Sequence, residues 1–535
     1  MAQTPPVDEH VSVASVQRQV VDFLADATSY TGVDRVERFE THGNLVFLAG
    51  YEAWKIKRAV RYPYMDFSTL EKRHSACLRE VEINRQFAPA LYLGCVPISR
   101  SPAGKLAFGT DGRIVEWAVH MRRFEQAALL SNIARANGIS NDLARQLADA
   151  VFACHETAKP AVPASGVAPM RRLAQSLAGP LGKSDVFPAD QVAVLLGHIA
   201  QQLSLSAAIL DERAAKGFVR RCHGDLHLAN IVMWQGRPVA YDAIEFDEAI
   251  ATVDTLYDLA FLLMDLDRHD QRPAANLVLN HYLWRGRNDL EVKGLVGLPL
   301  FLALRAIVRA VVTVDRAAQE GVEARKTDIE RARGYFSAAL DYAAPPGPQM
   351  IVVGGLSGTG KSTLASMLAP WVGGTPGAVH LRSDLERKAL AGVGEFDYLP
   401  ASGYAHAARR RVYAALQERA RAVLAAGRSV IVDAVFVEQE QRQGIEALAA
   451  ALGVPCRRVW LKADPKQLMA RVAARRNDAS DATPDVVLAQ VQSDTGSLAP
   501  GWSVVDAGGT ASLTFDRARD VLGVSIPKNR IKQPT

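Results

Sequence analysis

Residues 350–362 read MIVVGGLSGTGKS, and this run specifies more of the fold than any other part of the chain. Its apolar start predicts a buried strand, and the glycine-rich turn that follows ends in Lys361 and Ser362, where a helical pattern begins. A turn in this context directs backbone N–H groups and a helix N-terminus towards phosphate. The sequence therefore predicts a phosphate-binding loop.

We expect the whole loop to contact a nucleotide. Lys361 is predicted to bind the β- and γ-phosphates of ATP, and the Ser362 hydroxyl is predicted to bind Mg²⁺. Asp433, which ends the apolar run 429–432, is the predicted acid beside this metal, with a simple turn or cap as the alternative. The other predicted ATP contacts are Gly355, Ser357, Gly358, Thr359, Gly360 and Thr363.

The sequence predicts two domains, with the boundary just before the strand that leads into this loop. Residues 343–349 hold three prolines and a glycine between a helical pattern and the strand that begins at Met350, which predicts a linker. Downstream, in 350–535, strands alternate with helices, so we expect an α/β domain with a parallel sheet. Upstream, in 1–342, short β-patterned runs and a helix from about Ser68 to Phe87 precede a mostly helical stretch.

A second motif, HGDLHLAN at residues 223–230, places Asp225 five residues before Asn230. Phosphoryl transfer needs a base near the acceptor hydroxyl and oxygen ligands for magnesium, because positioning and charge stabilise its transition state. Asp225 is the predicted base. Asn230 is a predicted metal ligand, as is Asp242, which ends the strand-like run 238–241. His223 and His227 are interpreted as structural.

The set of Asp225, Asn230 and Asp242 resembles that of the aminoglycoside phosphotransferase family, a branch of the protein-kinase-like fold. It resembles in particular those members of the family that are fused to a P-loop domain. The resemblance implies an N-terminal α+β bilobal kinase-like domain whose strand 53–57 carries a nucleotide-binding lysine. Lys55 is our choice, and Lys57 stays open. Glu80 is the predicted partner of that lysine, with Glu82 as the weaker candidate. The hairpin at 41–48 is glycine-poor, which departs from the phosphate-covering loop of kinases.

The C-terminal part resembles AAA-type P-loop domains, including polynucleotide-kinase-like and gluconate-kinase-like enzymes, over residues 349–525. That resemblance implies that Asp384 is a base towards an acceptor hydroxyl and that Arg387 binds substrate. A basic lid over the phosphates is predicted around 471–482, with an ordinary helix surface as the alternative. Its predicted side chains are Arg471, Arg475 and Arg476.

Composition limits the partners. The chain has 535 residues, 22% charged, with a net charge of +5 and no long basic run, so charge alone does not indicate nucleic acid or a membrane. Five scattered cysteines and the absence of a signal-like start predict a cytoplasmic protein. The apolar run 295–304 is too short to span a bilayer and predicts a buried helix.

Together these features predict a bifunctional ATP- and Mg²⁺-dependent phosphotransferase acting on hydroxyls of small molecules. Nine acids face one strong base in 242–270, which suits a cationic acceptor, although structural roles for these acids are the alternative. An ATP-sensing regulator with one non-catalytic domain is a competing hypothesis. A third is 5′-hydroxyl phosphorylation of nucleic acid by the C-terminal domain, for which only the segment 409–413 offers basic and aromatic side chains.

Overall fold

A computed structural model of the chain describes residues 13–41, 43–62, 65–318, 321–476, 478–493 and 498–526, so His42 of the predicted hairpin and Asn477 of the predicted lid lie outside it. The chain divides into two compact units. The first holds the described parts of 1–137, 154–159 and 220–253, and the second those of 138–153, 160–219 and 254–535. The predicted linker 343–349 falls inside the second unit, and the predicted domain limits stay predictions.

The first unit is built on a six-stranded antiparallel sheet with the order β1-β2-β3-β8-β6-β7. Its strands are β1 (Val36–Glu40), β2 (Asn44–Ala49), β3 (Glu52–Lys57), β6 (Tyr92–Arg100), β7 (Leu106–Phe108) and β8 (Arg113–Arg122), beside a short pair, β4 (Arg61–Tyr62) and β5 (Met65–Asp66). Its other elements are α1 (Val13–Ala25), α2 (Leu70–Phe87), α3 (Leu130–Ala136), α7 (Glu248–Ala251) and the hairpin β10 (Ile231–Trp234) and β11 (Arg237–Ala240).

Successive side chains of β3 point to opposite faces of the sheet, and this alternation decides which of them face α2. Trp54 and Ile56 point to the face that packs against Val20 of α1. Ala53 points to the opposite face, where it packs with Val81 of α2. Lys55 and Lys57 share the parity of Ala53, so the strand directs both lysines towards α2.

The second unit begins with a helical region. Its helices are α5 (Val167–Lys183), α6 (Ala189–Ala215), α8 (Thr255–Arg268), α9 (Arg272–Gly286), α10 (Asp289–Gly294), α11 (Leu298–Ala317) and α12 (Val322–Ala343). Three elements, α4 (Asn141–Thr157), β9 (Val219–Arg221) and β12 (Thr252–Asp254), contain residues of both units.

Two stretches of this region, Ala189–Ala215 and Asp289–Ala317, have the length and apolar composition of a membrane span. In the second stretch, 72% of the most apolar window is buried inside the protein. The core helix of a globular domain has the same composition, so these helices are weak evidence for a membrane. The predicted buried helix is found there as α11, where Leu300, Phe301 and Leu304 are fully buried.

The rest of the second unit is a parallel sheet in the order β14-β15-β13-β16-β17. The strands are β13 (Met350–Gly355), β14 (Val379–Arg382), β15 (Val430–Asp433), β16 (Cys456–Lys462) and β17 (Trp502–Asp506). The helices are α13 (Lys361–Leu368), α14 (Ser383–Leu390), α15 (His406–Ala425), α16 (Gln439–Ala451), α17 (Pro465–Ala474), α18 (Pro484–Gln492) and α19 (Ala511–Leu522). The predicted fold class is confirmed in its architecture: an α+β part precedes a P-loop α/β part with a parallel sheet.

Candidate active sites

In the first unit, two lysines of β3 bind one buried glutamate. Glu80 of α2 lies 2.9 Å from Lys55 Nζ through Oε1 and 2.6 Å from Lys57 Nζ through Oε2. Each carboxylate oxygen thus has its own lysine. Glu82, the weaker candidate, has a side chain that is 64% exposed and pairs with Arg79 instead.

The same lysines hold the segment that follows β11. Lys55 Nζ donates to Asp242 Oδ1 at 2.7 Å, and Lys57 Nζ donates to Glu245 Oε1 at 2.5 Å. The side chains form a continuous run of alternating charge from Asp242 through Lys55, Glu80 and Lys57 to Glu245. Lys55 is therefore the lysine that reaches the predicted metal ligand, whereas Lys57 anchors the segment at Glu245.

Burial disfavours the charged forms of Lys55 and Glu80, but their oppositely charged neighbours stabilise these forms more strongly. Burial acts to lower the pKa of Lys55, but Asp242 and Glu80 outweigh it and hold that pKa well above its usual value. Burial likewise acts to raise the pKa of Glu80, and the two lysines bring it down to about 2. Lys55 and Glu80 are therefore both charged at neutral pH.

The predicted base Asp225 is oriented by two side chains of its own loop. Asn230 Nδ2 donates to Asp225 Oδ2 at 2.9 Å, and His227 Nε2 lies 3.3 Å from the same oxygen. His227 Nδ1 accepts the N–H of Ala229 at 3.2 Å, which leaves Nε2 to donate to Asp225. His227 thus contacts the predicted base directly, beyond the structural role interpreted from the sequence.

His223 connects this loop to the strand before Asp242. Its Nε2 donates to the carbonyl of Tyr241 at 2.9 Å, and its Nδ1 accepts the N–H of Asp225 at 3.3 Å. Asp242 itself has a φ of 61°, in the left-handed region that is unfavourable for a side chain larger than glycine. The Ala243 N–H donates to Asn84 Oδ1 at 2.8 Å, which helps to hold this conformation.

The first site offers oxygen atoms that are suitable ligands for a magnesium ion. Carboxylate and amide oxygens are the ligands that Mg²⁺ prefers. The amide nitrogen of Asn230 is used on Asp225, which leaves its amide oxygen for a metal. Asp242 keeps 42% of its side chain exposed despite its bond to Lys55.

In the second unit, the loop between β13 and α13 has the conformation of a phosphate cradle. Gly358 and Gly360 have φ values of 84° and 87°. A Cβ on Gly358 would lie 2.6 Å from the backbone oxygen of Leu468, so the loop packs tightly there. A Cβ on Gly360 would meet no atom within 4 Å, so the loop is open at this position. Lys361 Nζ donates to the carbonyl of Leu356 at 3.1 Å, across the loop.

The strand ends of this sheet bring acids towards Lys361. Asp433 lies opposite Arg382 in the parallel register of β15 and β14, and Asp384 lies two residues after the end of β14. Burial lowers the pKa of Lys361, and Asp433 and Asp384 compensate only partly. Burial raises the pKa of Asp384 above its usual value, while Arg382 and Lys361 oppose the rise.

Asp433 is held in its charged form. Burial would raise the pKa of its carboxyl, but His380, Lys361 and Arg382 together outweigh burial, and the pKa lies below the usual value. His380 Nε2 lies 3.4 Å from Asp433 Oδ2. A charged Asp433 and the Ser362 hydroxyl supply the oxygen chemistry that the predicted magnesium needs.

A cavity of about 580 Å³ lies in front of the loop. Its wall includes Lys361 and Ser362 from the loop, the predicted base Asp384, and three tyrosines, Tyr398, Tyr404 and Tyr413. A smaller cavity, of about 280 Å³, lies on the other side of Gly360 and Thr363. The loop therefore separates two spaces, of which only the larger contains the predicted base.

The predicted substrate and lid arginines fall into two groups. Arg387 and Arg475 line the larger cavity, and Arg387 donates to the carbonyl of Gly403 at 2.8 Å. Arg471 lines the smaller cavity, where it donates to the carbonyl of Ala507 at 2.8 Å. Arg476 is exposed and bonds only to neighbouring backbone oxygens among the contacts described. Their roles stay predictions.

Gln490 of α18 was not anticipated from the sequence. Its Oε1 accepts the N–H of Ser357 at 2.8 Å, and its Nε2 donates to Ser357 Oγ at 3.1 Å. A lone glutamine on a helix far along the chain carries no pattern that would indicate this contact. The P-loop is thus in contact with the helix that follows the predicted lid.

Several acids of 242–270 have structural roles. Asp254 binds Arg213 through both oxygens, at 2.7 and 2.8 Å, and both side chains are buried. Asp267 accepts the hydroxyl of Tyr342 at 2.6 Å. These acids are engaged inside the helical region, so they add little to an acidic surface for a cationic acceptor.

Comparisons with known proteins found one matching family, several relatives and several solved structures. Residues 350–497 match a family described as an AAA domain. An uncharacterized protein of Mycobacterium tuberculosis (strain ATCC 25618 / H37Rv) is 29% identical over 488 residues, which cover 89% of this chain and 94% of the relative. The match thus extends over most of both chains.

Two solved structures cover different parts of the chain. A complex of an aminoglycoside 2′-phosphotransferase with GDP is 12% identical, with a TM-score of 0.37, and covers 60% of this chain and 98% of its own. A gluconokinase from Sinorhizobium meliloti 1021 is 21% identical, with a TM-score of 0.25, and covers 33% of this chain and 92% of its own.

The two lysines of β3 predict different mutant phenotypes. Lys57→Met would leave Glu80 with one lysine and the nearly buried Glu245 with none, so we expect it to lower the free energy of unfolding by about 3 kcal/mol. Lys55→Met leaves Lys57 on Glu80 and uncovers only the more exposed Asp242, so its loss of stability should be smaller. Thermal unfolding of both variants measures this, and the reverse order would contradict these assignments.

The charges around Asp384 predict a pH dependence. If Asp384 acts as a base, transfer at the second site falls as pH drops through its raised pKa, because the protonated form cannot accept a proton. Arg382→Met removes a nearby cation, so the pKa should rise further and the acid limb should move to higher pH. A pH–rate profile tests this, with the exposed Arg421→Met as control. An unmoved limb would contradict the role of Asp384.

Proposed function

We propose that the chain is a bifunctional ATP-dependent phosphotransferase, in which each site transfers the γ-phosphate of ATP to a hydroxyl of a small molecule. The observation that carries the proposal is that each unit, by itself, gathers a charged lysine, an acid suited to magnesium and a further carboxylate suited to act as base. A single such set can arise from structural ion pairing. Two such sets, built from different residues in different units, favour a catalytic role at both sites.

At the first site, Asp225 accepts the proton of the acceptor hydroxyl, and the resulting oxygen attacks the γ-phosphorus of ATP. The bond between that phosphorus and the β–γ bridging oxygen breaks, and ADP leaves. Lys55 stabilises the nucleotide phosphates, while Asn230 and Asp242 would hold Mg²⁺. The metal would supply positive charge that neutralises the phosphate oxygens in the transition state.

At the second site, the same chemistry uses other parts. Lys361 and the loop amides bind the phosphates, Ser362 and Asp433 would hold the metal, and Asp384 is the base. The smaller cavity beside Arg471 offers space for the nucleobase, and the larger cavity holds the acceptor. Arg387 at its wall would bind an oxygen-rich acceptor group.

The proposal includes a cytoplasmic location, small-molecule acceptors and no membrane partner. The segment 409–413 gives a nucleic-acid acceptor little support, because its aromatic side chain, Tyr413, is only 8% exposed and its hydroxyl accepts the N–H of Phe436. Base stacking needs an accessible ring. A polyamine acceptor for the first site loses support from the structural use of Asp254 and Asp267.

The test is transfer of label from γ-labelled ATP and magnesium to pools of aminoglycosides, sugars, nucleosides and oligonucleotide ends. We expect two separable activities. Asp225→Asn should abolish transfer to one acceptor and Asp384→Asn transfer to another, each by at least about 100-fold, because a general base contributes about 10² to 10⁴. The exposed Asp142→Asn serves as the matched control.

Loss of both activities in either variant would contradict independent sites. Binding of ATP without transfer to any pool would instead favour the ATP-sensing function. Transfer only to oligonucleotide ends, lost in Asp384→Asn, would favour the polynucleotide kinase function for the second site.

A further inference from the structure

The parallel sheet has an exposed edge that a helix of the preceding helical region closes. Strand β14 is the terminal strand and pairs only with β15 within the sheet, so its outer backbone groups need other partners. Helix α9 supplies them. Asn276 Nδ2 donates to the carbonyl of Ala378 at 3.0 Å, and Asn280 Oδ1 accepts the N–H of His380 at 2.7 Å.

These contacts come from one helical face. Arg272, Asn276 and Asn280 are spaced four residues apart, which places them in a row along α9. Arg272 Nε donates to the carbonyl of Pro370 at 2.8 Å, and Asn280 Nδ2 also reaches the carbonyl of Ala378 at 3.3 Å. Asn276 is 4% exposed. The polar side chains of this row therefore satisfy backbone groups at the edge of the sheet, as a further strand would do.

One of these bonds leads to the second site. The backbone of His380 is held by Asn280, and its ring contacts Asp433, the predicted acid beside the metal. Two residues beyond β14 lies Asp384, the predicted base. Asn276 has no bond to His380 among the described contacts, although Asn280 Nδ2 donates to Asn276 Oδ1 at 3.1 Å.

We propose that Asn280, which lies upstream of the predicted linker, is a positioning residue for the second site. By fixing His380 it fixes the ring that holds the Asp433 carboxylate, and it thereby sets the magnesium dependence of nucleotide binding. This inference rests on the proposed function of that site. It also gives a physical reason for joining the two parts in one chain, since the P-loop part depends on a helix from the upstream part.

The experiment uses the full-length chain with Lys55→Met to disable the first site. Fluorescent mant-ATP is titrated with and without Mg²⁺ into this parent and into variants that add Asn280→Leu or Asn276→Leu. Both leucines remove a donor to Ala378, but only Asn280→Leu removes the acceptor for His380. Asn280→Asp, which keeps an acceptor oxygen, is the rescue variant.

We expect Asn280→Leu to reduce the Mg²⁺-dependent gain in affinity by about 10-fold, as loss of a partner behind a metal ligand does. Asn276→Leu should leave the gain unchanged, and Asn280→Asp should restore most of it. Hydrogen–deuterium exchange without nucleotide should be faster at the His380 amide in Asn280→Leu only. If that variant does not fold, Asn280→Ala carries the same test without added bulk.

An unchanged gain in a folded Asn280→Leu or Asn280→Ala variant, or equal losses in both asparagine variants, would overturn the proposal. Unchanged exchange at His380 would overturn it as well. If the parent protein binds mant-ATP with no Mg²⁺ dependence, the proposed function of the second site fails instead, and the exchange measurement still decides whether Asn280 fixes His380.

Discussion

A charge taken out of water needs a partner, and this constraint shapes both sites. In the first unit, Glu80 is fully buried and is stabilised only because Lys55 and Lys57 each bind one of its oxygens. The lysines in turn hold Asp242 and Glu245. The segment that carries the predicted metal ligand is therefore positioned by electrostatics that originate at a single carboxylate.

The second site meets the same constraint differently. Lys361 is less fully compensated, so burial lowers its pKa, and nucleotide phosphates would supply the missing negative charge. The Asp433 carboxylate contacts the ring of His380, whose strand lies at the edge of the sheet. Because that edge is closed by side chains of α9, the P-loop part is not a self-contained module, and the helical region completes it.

Local patterns predicted much of this arrangement. The strand–loop–helix around Lys361, the strand ending in Asp433 and the helix carrying Glu80 all follow from periodicity and turn residues. Contacts between distant residues could not be predicted, since a lone Gln490 or Asn280 has no local signal of its partner. The sequence favoured Lys55 but left Lys57 open, because alternation puts both on one face, and the positions of Asp242 and Glu245 distinguish them.

The central claim is that one chain binds two nucleotides at separately built sites. Calorimetric titration with a non-hydrolysable ATP analogue and Mg²⁺ measures this most directly. We predict two sites per chain, of which Lys55→Met removes one and Lys361→Ala removes the other. A single site that either substitution abolishes would contradict the account, because the charges of each unit would then not suffice to build a site alone.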